Sequence, residues 1–416
     1  MKTNNRILIL LLLAGLGAGI LPMQAQSRKK GLRKGPNVSL NITNRKKPIA
    51  TTYFNFGLFS NFSRLGGVGI NAISSVVHHR TEGVQVSGLA NVTGLNVSGV
   101  QMTGLVNVTG RNSNGLVLSG LMNVNGWSAK GVQLSGLGNV AGKDLKGVTL
   151  SGLVSIGGRN TSGLQIAGLS NISAENHYGV AVAGLMNVAG GNVCGLQLTS
   201  LLNIAGKENR GVQLAGLGNV SVENKGLQLG FTNYSAQNNG LQAGFGNIAN
   251  KCEKGLQLGI VNVSQCNRTR QIGCVNVKPE TRIQMLLSGG NASKLNLGVR
   301  FKNRYTYTIL GTGAYHLGMD KDFSVSGFYR AGVHYPLTAR LDLSADLGFY
   351  HIETLDNKHD GYPARLYALQ PRLNLEYSIT RRVGVFASGG YEWLRQYQGK
   401  GKFDDKGVFE VGLVLF

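Results

Sequence analysis

The chain is poor in the residues and motifs that most chemistry needs. It contains no H-E-x-x-H and no G-x-S-x-G. It has no P-loop either, because AGKD (141–144) and AGKE (205–208) lack the glycine five residues earlier. None of the sequence marks of a zincin, a hydrolase elbow or a phosphate-cradling loop is present. Acids are scarce: between residues 83 and 276 they are Asp144, Glu175, Glu208, Glu223 and Glu253. Polysaccharide cleavage needs an acid/base pair converging within a few ångströms. Glu208 and Glu223 come nearest, about one repeat apart, and read as adjacent solvated charges. His78 and His79 stand together without carboxylates nearby and read as an exposed turn. The four cysteines, Cys194, Cys252, Cys266 and Cys274, form no C-x-x-C, which argues against zinc. The expectation is a non-enzyme with no metal, no cofactor and no catalytic residues. Aromatics are also few, with only Trp127, Tyr178, Phe231, Tyr234 and Phe245 between 83 and 276.

What fills that segment is repetition. Asn91, Asn107, Asn123, Asn139, Asn171, Asn187, Asn203 and Asn219 lie on a sixteen-residue grid, with Ser155 in the vacant place. The surrounding units are GVQVSGLAN (83–91), GVQMTGLVN (99–107), GVQLSGLGN (131–139) and GVQLAGLGN (211–219). The period then tightens, placing Asn233, Asn247, Asn262 and Asn276 in GLQLGFTN (226–233), GLQAGFGN (240–247), GLQLGIVN (255–262) and IGCVN (272–276). A fixed short period marks stacked identical units. GVGINA (67–72) loosely matches a dinucleotide fingerprint, yet it is one more unit, part of a degenerate starting cap over 51–82.

In GVQLSGLGNVAGKDLK (131–146), Val132 and Leu134 share a face, Gly136 permits a bend, and Leu137 and Val140 are expected to point inside. Two short strands per unit make a flattened coil, and coils stack at roughly 4.8 Å per step, so about thirteen give a rod on the order of 60 Å. The asparagines are expected to form a structural ladder in which each amide bonds its neighbours. One coil is expected to bury about four apolar side chains worth roughly 1.5–3 kcal/mol each, against about 1–2 kcal/mol of backbone entropy per residue. Stability must therefore come from the stack. Cys252 and Cys266, fourteen residues apart, fall about one coil from each other. Their offsets from Asn247 and Asn262 differ by one residue, which leaves a disulfide open. A competing arrangement makes the repeats and tail one large β-barrel, but residues 83–276 are too poor in aromatics for two interfacial girdles.

The ends carry different signals. Lys2, Arg6, the uncharged run Ile7–Leu21 and the small residue Ala25 predict a signal peptide over 1–25. Residues 26–50 read as a basic, disordered linker with Arg28, Lys29, Lys30, Arg33 and Lys34 clustered. From 280 to 416 the pattern alternates with a period of two, as in LDLSADLGF (341–349) and RLNLEYSI (372–379). About eight strands are expected, starting near Arg282, Lys294, Tyr305, Phe323, Ala339, Arg365, Val383 and Gly407. They suit a small antiparallel barrel of the outer-membrane type, and the terminal Phe416 matches the assembly signal of such barrels. Tyr305, Tyr307, Tyr315, Tyr329, Tyr335, Tyr350, Tyr391 and Trp393 are candidates for the girdles. Arg330, Asp342, Asp346, Arg372 and Glu376 are expected to pair inside. A soluble barrel or sandwich with an apolar core is the competing reading, since alternation does not say whether oil or lipid covers the apolar face.

The GLQLGxxN units resemble the surface-repeat proteins of Gram-negative bacteria, exported β-repeat proteins without an established activity. The fourteen-residue units resemble, more loosely, the β-roll heads of trimeric autotransporter adhesins, which lack this regular asparagine and precede a coiled-coil stalk absent here. The resemblance covers residues 67–276. The expected protein is all-β: a Gly/Asn-rich β-solenoid of 14–16-residue repeats (51–276), then a small outer-membrane-type barrel (280–416). The expected role is non-catalytic adhesion or display through multivalent contacts with glycan or host surface, helped by Lys143, Lys146, Lys207, Arg210 and Lys254. The net charge of +23 favours anionic partners such as lipopolysaccharide or acidic glycan beside outer-membrane lipid; no groove-reading motif points to nucleic acid. The alternative is an envelope tether facing the periplasm, or a transport-related role for the barrel. An even strand number leaves both barrel termini on one side, which places the repeats there.

Overall fold

The computed structural model describes residues 37–43, 51–316, 323–354, 364–397 and 402–415, and every regular element among them is a β-strand. The expected signal peptide, the basic cluster at 28–34 and Phe416 lie outside the described residues. Within the segment expected to be a linker, Asn37–Thr43 is instead a strand, paired in parallel with the start of Thr51–Ser87 through Val38↔Phe54 and Leu40↔Phe56. His78 and His79 sit inside Thr51–Ser87 rather than in a turn; His78 meets the Asn61 carbonyl oxygen of the side chain at 2.5 Å.

From Ala90 to Val277 the chain is a parallel solenoid. Each coil has a long strand and a short one, for example Ala129–Ser135 and Gly138–Ala141. Long strands pair with long and short with short, one repeat apart: Gln133↔Thr149 and Asn139↔Ser155. The shorter units keep the same register, with Asn219↔Asn233↔Asn247. A first bend (Gly136–Leu137) follows the long strand and a second bend (Gly142–Asp144) follows the short one. Gly163, whose φ is +98°, belongs to a column of positive-φ glycines from Gly83 to Gly195 that lie inside the long strands.

The solenoid's polarity is the reverse of the expectation. Gln133 and Asn139 are fully buried, with Ala129 and Ala141 beside them, whereas Leu137 is 41% exposed. Val132, Leu134 and Val140 line the outside. Strand geometry requires this once the amides are inside, because neighbours of an inward residue point outward. Primary amides can fill such an interior since each carries both a donor and an acceptor and so bonds the coils above and below.

Eight strands form a separate closed antiparallel barrel. They are β1 (Arg282–Gly290), β2 (Ser293–Lys302), β3 (Thr306–His316), β4 (Phe323–Pro336), β5 (Leu341–Thr354), β6 (Arg365–Ser378), β7 (Val383–Gln396) and β8 (Lys402–Leu415). β8 closes on β1 through Leu286↔Val414 and Ser288↔Gly412. Repeats and tail are therefore two structures rather than one large barrel. Both barrel termini lie at the end carrying the tight turns at 303–305, 337–340 and 379–382, while the two-residue turn at 291–292 lies at the other end. The solenoid joins there, and Thr281 and Asn303 bond across the junction.

Candidate functional site

Three surfaces hold the chain's unusual chemistry: the solenoid interior, its two long edges, and the barrel wall with its lumen. In the interior the asparagine ladder is nearly continuous. Asn91 Nδ2 donates to Asn107 at 3.0 Å, and the pattern continues through Asn123 to Asn139. It resumes from Asn171 through Asn187, Asn203, Asn219, Asn233, Asn247 and Asn262 to Asn276. At Ser155 the ladder breaks, and Asn139 donates instead to Ser151, which bonds Ser155. The same amides also bond a backbone carbonyl at the first bend, as Asn107 does with Leu118 at 2.7 Å.

A second ladder, absent from the sequence reading, runs beside the first. Gln213, Gln228, Gln242, Gln257 and Gln271 each donate to the glutamine one coil earlier at 2.8–3.0 Å. Its signal was in plain view, as the glutamine of every GVQL and GLQL unit. A shorter column joins Asn209, Asn224 and Asn238. These are structural roles: apart from Gln271 and Asn276 in the last coil, the amides are almost fully buried.

His177 is buried in the same interior, with Nδ1 2.9 Å from Thr161 Oγ1. Burial pushes its pKa down to about 4. The folded chain thus prefers the neutral ring, and that preference is fully present above the unfolded value near 6.5 and is lost as pH falls toward 4. The difference is worth roughly 3 kcal/mol. His177→Val, which matches Val193 in the next coil, should flatten the fall in denaturant midpoint between pH 7 and pH 4.5. Identical pH slopes for the two chains would refute the assignment.

The two edges differ. At the first bend one apolar residue per coil points outward, forming a column: Leu89, Leu105, Leu121, Leu137, Leu153, Leu169, Leu185, Leu201, Leu217, Phe231, Phe245 and Ile260, each 37–56% exposed. Phe231 and Phe245 stack at 4.9 Å. Every charged side chain of the repeats from Arg111 to Arg268 lies instead at or beside the second bend. There Trp127 is flanked by Arg111 and Lys143, from the coils before and after, at 4.9 and 4.3 Å from the ring centroid. The structure thus gathers Lys143, Lys146, Lys207, Arg210 and Lys254 along one edge. Arg159 donates to Asp144 and holds its carboxyl down at about 2. Glu208 and Glu223 are in register, as the spacing implied. Lys225 bridges them at 2.6 and 3.3 Å and Arg210 also pairs with Glu208, whose pKa these hydrogen bonds lower. Glu208 held ionised between cations is a poor general acid. Cys252 and Cys266 are joined by a disulfide at this edge, with a Cα–Cα distance of 5.9 Å; Cys194 and Cys274 are free.

The barrel has an apolar wall and a charged interior. Leu297, Val333, Leu347, Leu373, Leu375 and Val411 point outward, each 45–63% exposed. Inside, Arg330 donates to Asp346 at 2.8–2.9 Å and to Glu410 at 3.2 Å, and Arg372 pairs with Glu410. Arg300 forks onto Glu376 at 2.6 and 3.1 Å, and Lys302 bonds Asp342 at 2.9 Å. The five charges expected inside are all there, joined among the described residues by Arg300, Lys302, Glu392 and Glu410. Three girdle candidates are corrected, since Tyr307, Tyr315 and Tyr350 are at most 3% exposed and point inward. Their hydroxyls serve the interior, as when Tyr307 donates to Asp346 at 2.6 Å. Tyr305 and Tyr335 are outward near the tight turns, and Tyr391 and Trp393 are outward toward the other end.

No protein-family model matches the chain, and no curated protein does. Among solved structures, one described as a de novo design of transmembrane β-barrels is 14% identical, over 33% of this chain and 97% of that one, with a TM-score of 0.23. Neisserial surface protein A is 11% identical, over 32% of this chain and 93% of that one, with a TM-score of 0.24. Likeness at this level carries no argument about what the chain does.

Proposed function

We propose that the chain is a non-catalytic outer-membrane protein in which the barrel is the anchor and the solenoid is the working surface. The observation that carries this is the barrel's polarity. A soluble barrel hides its apolar side chains and shows its charges to water, whereas this one buries Arg300, Arg330, Arg372, Glu376 and Glu410 and turns leucines and valines outward. Only a hydrocarbon surrounding makes that distribution favourable. The lumen is packed with side chains, as expected for eight strands, which disfavours conduction.

Leu373→Arg, on the outward wall near mid-strand, separates this reading from the soluble one. In a bilayer it should cost about 2–4 kcal/mol of folding stability; on a water-exposed wall it should stay within about 0.5 kcal/mol. Urea unfolding of the full chain in phospholipid vesicles reads the difference.

Outer-membrane barrels turn tightly on the periplasmic side, and the short turns at 303–305, 337–340 and 379–382 beside the solenoid support a periplasmic solenoid acting as an envelope tether. Trypsin added to intact cells should then leave Lys130 and Lys146 uncut until the envelope is permeabilised. Cleavage on intact cells would favour the second reading, surface adhesion or display. That reading is supported by the exposed Trp127 between two cations, an arrangement suited to an acidic glycan.

A further inference from the structure

The solenoid's exterior is segregated lengthwise in a way its coil fold does not require. The first-bend column runs through twelve coils, about 50 Å at the parallel-strand spacing, with outward valines and leucines on both flanking strands. Soluble monomers rarely expose a contiguous apolar patch larger than a few hundred Å². On the long-strand flank the column borders an open groove of about 740 Å³, which crosses six coils from Val86 to Ile166, with Leu118, Leu134 and Leu150 on one side and Ser119, Ser135 and Ser151 on the other.

Two further observations say what covers this surface. The charges, with cations in excess, are confined to the opposite edge, an arrangement that matches an interface between hydrocarbon and anionic headgroups. The apolar edge also ends against the barrel wall. Tyr329, an outward residue near the middle of β4, donates its hydroxyl to the carbonyl of Gly273 in the last first bend at 3.3 Å. On the same strand Val325 and Val333 point outward to either side of Tyr329. The apolar edge of the rod and the apolar wall of the barrel therefore meet as one surface. A second copy covering the rod's edge would run into whatever surrounds the barrel at that point.

We propose that the solenoid lies along the membrane leaflet nearest the barrel's tight-turn end, with its first-bend edge among the acyl chains and its charged second-bend edge at the headgroups. The proposal rests on the reading of the barrel as membrane-embedded. It makes the repeats a lipid-binding amphipathic rod rather than a stalk projecting into water, and it gives the aliphatic residues that coil closure leaves outside an apolar surrounding.

Native tryptophans supply the controls. Trp393 is on the barrel wall and Trp127 on the charged edge of the solenoid. The full chain is folded into vesicles of phosphatidylethanolamine and phosphatidylglycerol with brominated acyl chains. Three versions are compared: Trp127→Phe, Trp393→Phe, and both replacements combined with Leu153→Trp, with Leu201→Trp as a second position should the first disturb folding. The emission of Trp393 and of each introduced tryptophan should fall by about half or more, while that of Trp127 should change little and remain open to acrylamide. Quenching at Trp393 with none at the two introduced positions would overturn the proposal and leave the anchor reading standing. Protection of those positions from both bromine and acrylamide would also overturn it, showing that protein covers the edge. No quenching at Trp393 would instead sink the anchor reading itself.

Discussion

Gly163→Ala should open the middle of the solenoid, while Gly246→Ala should leave it unchanged. At Gly163 the backbone has φ +98°, and an added Cβ would stand 2.2 Å from the carbonyl oxygen of Gly147 in the coil below. The conformation alone costs a side chain on the order of 1–3 kcal/mol. Relieving the overlap requires the two coils to separate, breaking ladder bonds worth about 1 kcal/mol each. The expected loss is on the order of 3–5 kcal/mol. At Gly246 a Cβ meets nothing closer than the Thr232 side chain at 3.9 Å. Because coils contact only their neighbours, the damage should stay local. Hydrogen exchange on the full chain should show lost protection around residues 145–180 and little change in the barrel. Equal protection in the two variants would show that the close coil approach does not constrain the stack.

The second large effect is expected inside the barrel. Glu410 takes Arg330 and Arg372 together, with Ser288 and Asn296 completing its hydrogen bonds. Glu410→Gln leaves two buried guanidinium groups sharing less negative charge than before, and removing one partner from such a group typically costs about 3–5 kcal/mol. Replacing partner and counter-charge together, as in Glu410→Leu with Arg372→Met, should cost less than the two single changes summed, because neither charge is then left alone. The measurement is the urea midpoint of each variant in vesicles. Strict additivity would mean that the network is a set of independent contacts.

Much of this molecule was legible in its residues. The asparagine column was readable because a covalent period places one residue per coil at the same height, whatever the coil's cross-section. The barrel strands were readable because alternation in LDLSADLGF and RLNLEYSI needs only local geometry, and their starts at Arg282, Phe323, Arg365 and Val383 match the expectation. Asn37–Thr43 was missed because its pairing with Val38↔Phe54 register depends on a neighbour that composition does not reveal. The glutamine column is hidden for a different reason: alternation puts Gln133 on the face opposite Val132 and Leu134, and a local pattern does not say which of the two faces is inside.

Sequence by itself determined the repeat length, the ladder positions and the number of barrel strands, since all three follow from spacing along one chain. It left each strand with two faces and no rule for which is buried. Coil closure decided that in the solenoid, where amides stacked at the strand spacing satisfy one another and leave the aliphatic residues outside. In the barrel, strand register decided which charges meet. Arg330 and Glu410 are 80 residues apart, and Arg300 and Glu376 are 76. No local pattern pairs them, and only the closed cylinder brings their side chains within hydrogen-bond reach.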